Sequence, residues 1–170
     1  MKRLLDSDAL RALARGCGVL SAGGGGDVHY CLLQALQASE DYGPVPLLDV
    51  DELPDDALIM PCGAIGSPLV SIEKFENGDE GDRLREYLQH LTGRSVAALM
   101  AAEIGGGNGL LPIVWAARLG LPLVDADGMG RAFPEVPQVT MHLAGIPASP
   151  AVMTDERGNL AMFRTISGDW

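Results

Sequence analysis

An α/β fold, with a mostly parallel or mixed sheet flanked by helices, is predicted by three observations. Short apolar runs alternate with amphipathic helical stretches through most of the chain. The run at residues 95–101 is almost wholly apolar, as expected of a strand covered on both faces. Glycine clusters separate apolar runs from the helices that follow, and 22 of the 170 residues are glycine, near twice the usual ~7%. The carboxyl-terminal segment, residues 136–163, is more strand-rich and is broken by Pro147, Pro150 and Gly158.

The elements follow in order. Asp6 or Ser7 caps a first helix with Leu10, Leu13, Ala14 and Cys17 at helical spacing, and Gly16 and Gly18 end it. Residues 19–21 read as a short extended segment leading into Gly23, Gly24, Gly25 and Gly26. Asp27 caps a second helix whose apolar face is Val28, Cys31, Leu32, Ala35 and Leu36. Strands are expected at 45–50 and 57–60, the latter opening into a loop at 61–68, and residues 69–72 read as extended. A third helix starts at Asn77-Gly78-Asp79, carries Leu84, Tyr87, Leu88 and Leu91, and closes at Gly93. After the strand at 95–101 come Glu103 and the second glycine cluster. A helix follows at 110–119, with Pro112 tolerated in its first turn and Gly120 as its stop. A strand at 121–124 empties into Asp125-Ala126-Asp127-Gly128-Met129-Gly130-Arg131.

Composition narrows the function. The length is that of one domain, residues 1–170. Twelve basic against 23 acidic residues give a net charge of −11, which argues against nucleic-acid and anionic-membrane partners. Cys17, Cys31 and Cys62 form no CxxC pair and read as buried small hydrophobes in a reducing compartment. The amino terminus turns acidic at Asp6 before a signal-peptide core forms, and no apolar run approaches the ~20 residues of a membrane span. A cytoplasmic location is expected.

A glycine run at a helix start offers bare backbone N–H groups and lets a ligand approach closely. A Walker loop is disfavoured because residues 21–30 hold no Lys or Arg. The dinucleotide fingerprint is incomplete. Gly23 and Gly25 give G-x-G and Asp49 lies at the right distance, but Val28 takes the third glycine position and Asp27 already occupies the helix cap. A neutral or weakly anionic small molecule fits better.

Carboxylates carry the chemistry. Asp125 and Asp127, at spacing two after a strand, point to one side, and Glu103 also follows a strand. In a parallel sheet such residues gather at the carboxyl edge, where ligands bind. Acids held close push their pKa values apart, which suits one for base and another for acid duty. Their place before Gly128 and Gly130 predicts a loop position, where they matter more to ligand binding or turnover than to stability. His29, His90 and His142 are far apart and no metal-ligand spacing occurs, so metal dependence stays open. No G-x-S-x-G elbow is present.

The block 125–135, together with the Gly23–Asp27 loop, Glu73-Lys74, and Glu103-Ile104-Gly105-Gly106 followed by Asn108, resembles the amino-terminal domain of the S-methyl-thiohydantoin desulfurase-like family. Members of this family are often described as hydantoinase-related. The similarity spans residues 5–159. It implies an α/β amino-terminal domain, normally followed by a β-rich second domain that this chain is expected to lack. The chain is then a truncated product, or works with a separate chain carrying that domain, or self-associates. The family pattern commonly has Pro after Asp27 where this chain has Val28. The continuation through Cys31 and the loop around Cys62 depart from it too.

The resemblance implies a hydrolase for a small cyclic amide, converting an S-methyl thiohydantoin to a hydantoin and methanethiol, with no cofactor clearly implied. Glu103, Asp125 and Asp127 are then the acid/base candidates. Gly23, Gly24, Gly25, Gly26, Asp27, Gly105, Gly106, Gly107 and Gly128 would supply backbone contacts to the substrate. Asn108, Lys74, Glu73 and Arg131 would orient the ring or its tail. The alternative is a non-catalytic small-molecule-binding domain, and behind it a nucleotide-binding one.

Overall fold

The computed structural model describes residues 3–164; Met1, Lys2 and the last six residues lie outside it. A five-stranded sheet runs in the order β1 (Arg3–Leu5), β2 (Val45–Leu48), β5 (Leu123–Asp127), β4 (Val96–Ala101), β3 (Leu58–Cys62). β1 is antiparallel to β2 and the remaining pairings are parallel, so the α/β expectation holds. A separate antiparallel hairpin, β6 (Ala151–Thr154) with β7 (Leu160–Phe163), forms the strand-rich carboxyl-terminal segment. Before it lie a 3-10 turn (Val136–Gln138) and the one-turn helix α6 (Thr140–Leu143).

Helices α1 (Ser7–Leu20), α2 (Val28–Tyr42), α4 (Glu80–Thr92) and α5 (Leu111–Leu119) all contribute to one apolar cluster on one sheet face. Leu10, Cys17, Ala35, Leu110 and Ile113 meet Val45, Val96, Leu99 and Leu123 there. The other face carries a smaller cluster of Ala98, Met100 and Val124 against Leu53, Ile59 and Met141. β4 is therefore buried on both faces, which explains its unbroken apolar run.

Caps and stops fall where local chemistry puts them. Asp6 accepts from the Ala9 N–H at 2.9 Å and Asp27 from the Tyr30 N–H at 2.7 Å. Gly93 and Gly120 end α4 and α5 in the left-handed conformation.

Four expectations are corrected. Gly16 and Gly18 do not end α1, which continues to Leu20. Each glycine costs a helix about 1 kcal/mol relative to alanine, but both are exposed while Leu10, Ala14 and Cys17 anchor the buried face. Residues 19–21 are therefore not extended, and the first glycine loop joins helix to helix through Ala22 at φ 46° and Gly23 at φ 88°. Residues 69–72 lie in helix α3 (Pro68–Glu73), with proline in its first turn. Asp125 and Asp127 are the last residues of β5 rather than a loop beyond it.

Candidate functional site

β3, β4 and β5 run parallel and end together at Cys62, Ala101 and Asp127. The loops that leave these ends are tied to one another by carboxylates and an amide. Glu103 is 7% exposed. One of its oxygens accepts from Asn108 Nδ2 at 2.7 Å and the other from the Phe133 N–H at 2.9 Å. Asn108 in turn accepts from the Ala64 N–H at 2.7 Å and donates to the Ala64 carbonyl at 3.0 Å. The pair thus binds the loop after β3, the loop after β4 and the loop after β5 into one rim. Burying these polar groups is tolerated because their hydrogen-bonding capacity is used.

Asp127 does comparable work one strand over. Its Oδ2 accepts from three backbone N–H groups: Ile104 at 2.9 Å, Met129 at 3.1 Å and Gly130 at 2.7 Å. Asp125 instead meets Arg3, whose guanidinium spans to Asp125 at 2.6 Å and to Asp49 at 2.8 Å. That contact crosses β1, β2 and β5, and the hydrogen bond to Asp125 is the chief cause of the raised Arg3 pKa.

Asp125 and Asp127 border a cavity of about 270 Å3 whose walls include Leu5, Leu13, Leu47, Leu123 and Ile104. Leu123, Asp125 and Asp127 alternate along β5, so the acids share the face on which Leu123 meets the helices. Glu103 does not line this cavity. Two of the three predicted acids are brought together and the third belongs to the rim.

The two glycine clusters lie at one edge, and they touch each other. The Gly107 N–H donates to the Gly26 carbonyl at 3.2 Å and the Asn108 N–H to the Gly25 carbonyl at 2.9 Å. A Cβ on Gly106 would stand 2.5 Å from the Gly25 backbone and 2.6 Å from the Gly24 carbonyl, and one on Gly25 would run into the Gly105 carbonyl. Gly105 is pressed against Ala132 and the Leu20 carbonyl, Gly107 against Cys31 and Gly109 against Cys17. Gly128 likewise leaves no room: a Cβ there would stand 2.6 Å from the Ala102 carbonyl. Gly23 and Gly26 face open space. The glycine-rich composition therefore answers first to loop-on-loop packing. The first loop follows a helix, so the strand–loop–helix setting of a dinucleotide fingerprint is absent there.

The remaining predicted residues are dispersed. Lys74 pairs with Glu156 at 3.6 Å, and Glu73 lies exposed at the end of α3. Arg131 stacks over the Phe133 ring at 4.2 Å and donates to the Ala132 carbonyl. Cys17 and Cys62 are buried and Cys31 is half-buried. Burial pushes the Cys17 thiol up to about 11 and those of Cys31 and Cys62 to about 12, which suits packing rather than thiol chemistry. Among the described residues no group of three or more His, Cys, Asp or Glu could hold a metal. None of their helices is long and apolar enough to cross a membrane.

Sequence reasoning missed Arg3. It also missed the leucines of α1 and β2 that line the cavity, because residues so far apart carry no local sign of a shared wall. Tyr30, Gln34 and Glu76 form a further hydrogen-bonded cluster between α2 and the segment before α4 that no motif announces.

Comparison with known proteins places the chain. No curated protein matches it. A crystal structure of a protein from Chromobacterium violaceum, a structural genomics target, superposes with a TM-score of 0.75 at 28% identity, covering 97% of this chain and 45% of that one. The chain thus spans less than half the length of that relative. The family profile described as S-Me-THD-like, N-terminal domain, matches residues 8–165. With the α/β sheet and the 125–135 block as expected, the chain belongs to the S-Me-THD-like family, of which it carries the N-terminal domain.

Proposed function

We propose that this chain binds a small cyclic amide of the thiohydantoin type at the carboxyl end of β5, and that its reaction is hydrolysis of an S-methyl thiohydantoin to the hydantoin and methanethiol. The observation that carries this reading is the cavity of about 270 Å3 with leucine walls and two carboxylates at its border. It is a little smaller than the ~300–1,000 Å3 of drug-sized ligand sites, which suits a five-membered ring with a modest substituent. The faces of such a ring match the leucines and its N–H matches a carboxylate acceptor.

In the reaction the water oxygen adds to the ring carbon bearing sulfur and the carbon–sulfur bond breaks. Methanethiol leaves with one water proton, and the other ends on the ring nitrogen. Asp127 is the better-held base. Its Oδ2 is pinned by three N–H groups, while its Oδ1 makes no hydrogen bond among the described residues. Asp125, fixed by Arg3, is the second carboxylate within reach of the ring. Glu103, Asn108 and glycines 105–107 hold the rim rather than the ligand. The partners in this reading are the small molecule and either a second copy or a chain carrying the family's β-rich domain. Exposed Leu69 and Phe75 support such a contact.

A non-catalytic binding domain is the second reading. It is favoured by the carboxylates themselves, since both Glu103 oxygens and Asp127 Oδ2 already accept protein donors. Calorimetric titration with the S-methyl thiohydantoin of an apolar amino acid, followed by a thiol assay for methanethiol, separates the two. Binding with turnover supports the hydrolase, binding alone supports the second reading, and no binding rejects both for this ligand class.

A further inference from the structure

Three residue pairs in the chain are prone to cyclise: Asn77–Gly78, Asn108–Gly109 and Asp127–Gly128. Glycine's unhindered amide nitrogen attacks the preceding side-chain carbonyl carbon and closes a succinimide. Ammonia leaves from Asn, or water from Asp, and water then opens the ring to aspartate or isoaspartate. Each pair is restrained differently. At Asn108 the buried carboxamide is held at both ends by Ala64 and Glu103. At Asp127 the carboxylate holds three N–H groups while the Gly128 N–H donates to the Ala101 and Ala102 carbonyls at 3.2 and 3.1 Å.

Asn77 is the exception. It is exposed, and its carboxamide makes no hydrogen bond among the described residues, so the electrophile is free. Only the nucleophile is restrained. The Gly78 N–H donates to Glu80 Oε2 at 2.9 Å and the Asn77 N–H to Glu80 Oε1 at 2.6 Å. Glu80 is itself buried, at 6% exposure.

We propose that Asn77 is a site of spontaneous deamidation and that the Glu80 carboxylate sets its rate. The Gly78 nitrogen must shed its proton and turn toward Asn77 Cγ. A carboxylate on that N–H opposes both steps, by holding the proton and by placing negative charge beside the amide anion that would form. The product puts a new carboxylate beside Glu76, Asp79 and Glu80 at the start of α4. In the isoaspartate form the main chain gains a methylene, which pulls the two N–H groups out of register with Glu80.

The test compares wild type, Glu80→Gln and a synthetic peptide of residues 74–83, all held warm at mildly alkaline pH. Mass spectrometry follows the conversion of amide to acid at Asn77. Wild type is expected to react at least about tenfold more slowly than the peptide, as one charge-assisted hydrogen bond against local opening implies. Folded Glu80→Gln should approach the peptide's rate, while Asn108 stays intact in wild type. Should Glu80→Gln fail to fold, hydrogen exchange at the Gly78 amide of wild type decides: protection supports the proposal and free exchange overturns it. Wild type reacting as fast as the peptide, or folded Glu80→Gln as slow as wild type, also overturns it.

Discussion

Glycines 23–26 and glycines 105–107 look alike as composition and differ in surroundings. The second run is buried, and a methyl group at any of its three positions would collide with backbone or with a neighbouring side chain. The first run is mostly solvent-facing, and only Gly25 is pressed against its counterpart. Glycine in the second loop answers to space, whereas in the first, apart from Gly25, it answers to backbone conformation. The pair teaches that a glycine cluster marks close approach without saying whether a ligand or another loop does the approaching.

Substitution sharpens that comparison most at Gly106, which combines φ +67° with contact at 2.5 Å. Gly106→Ala is expected to cost about 3–5 kcal/mol, from left-handed strain plus overpacking, and denaturant unfolding measures it. Gly26→Ala, at φ +84° in open space, should lose only about 1–2 kcal/mol. Equal losses at the two sites would erase the distinction.

The acids divide in the same way. Asp127 holds three N–H groups, so Asp127→Asn should destabilise by about 1–3 kcal/mol. The sequence-based expectation that it matters more to ligand binding than to stability does not anticipate a loss of this size. Asp125 is exposed and paired with Arg3, so Asp125→Asn should cost no more than about 1 kcal/mol. Thermal melts of the two variants rank them.

The smallest effect concerns pH. Unfolded thiols ionise near 9, whereas Cys17 is held up to about 11 and Cys31 and Cys62 to about 12. Between these values the unfolded chain binds fewer protons than the folded one, so stability falls as pH rises. Unfolding midpoints should be insensitive to the thiols below pH 9 and decline above it, and a Cys17→Ala variant should decline less.

Local signals were legible and long-range contacts were not. Asp6, Asp27, Gly93 and Gly120 act within a turn of their own position, so the helix ends they govern could be read directly. The fate of Gly16 and Gly18 depended on Leu10, Ala14 and Cys17 docking against the sheet, which overrides propensity. Asp127 stands out in the sequence by its spacing and its glycines, but its partners at Ile104 and Met129 appear only when β4 and β5 align. Arg3 reaches across β2 to Asp125, and nothing near either residue signals the other.

In the proposed function ligand recognition lies in the β5 cavity, and the glycine loops serve packing and backbone conformation. A single calorimetric series tests it, titrating an S-methyl thiohydantoin into wild type, Asp125→Asn and Gly26→Ala. Gly26→Ala is expected to bind as wild type does, while Asp125→Asn loses about tenfold or more, the scale of one lost carboxylate contact. Undiminished binding by Asp125→Asn together with loss in folded Gly26→Ala would contradict it and return the site to the glycine loop.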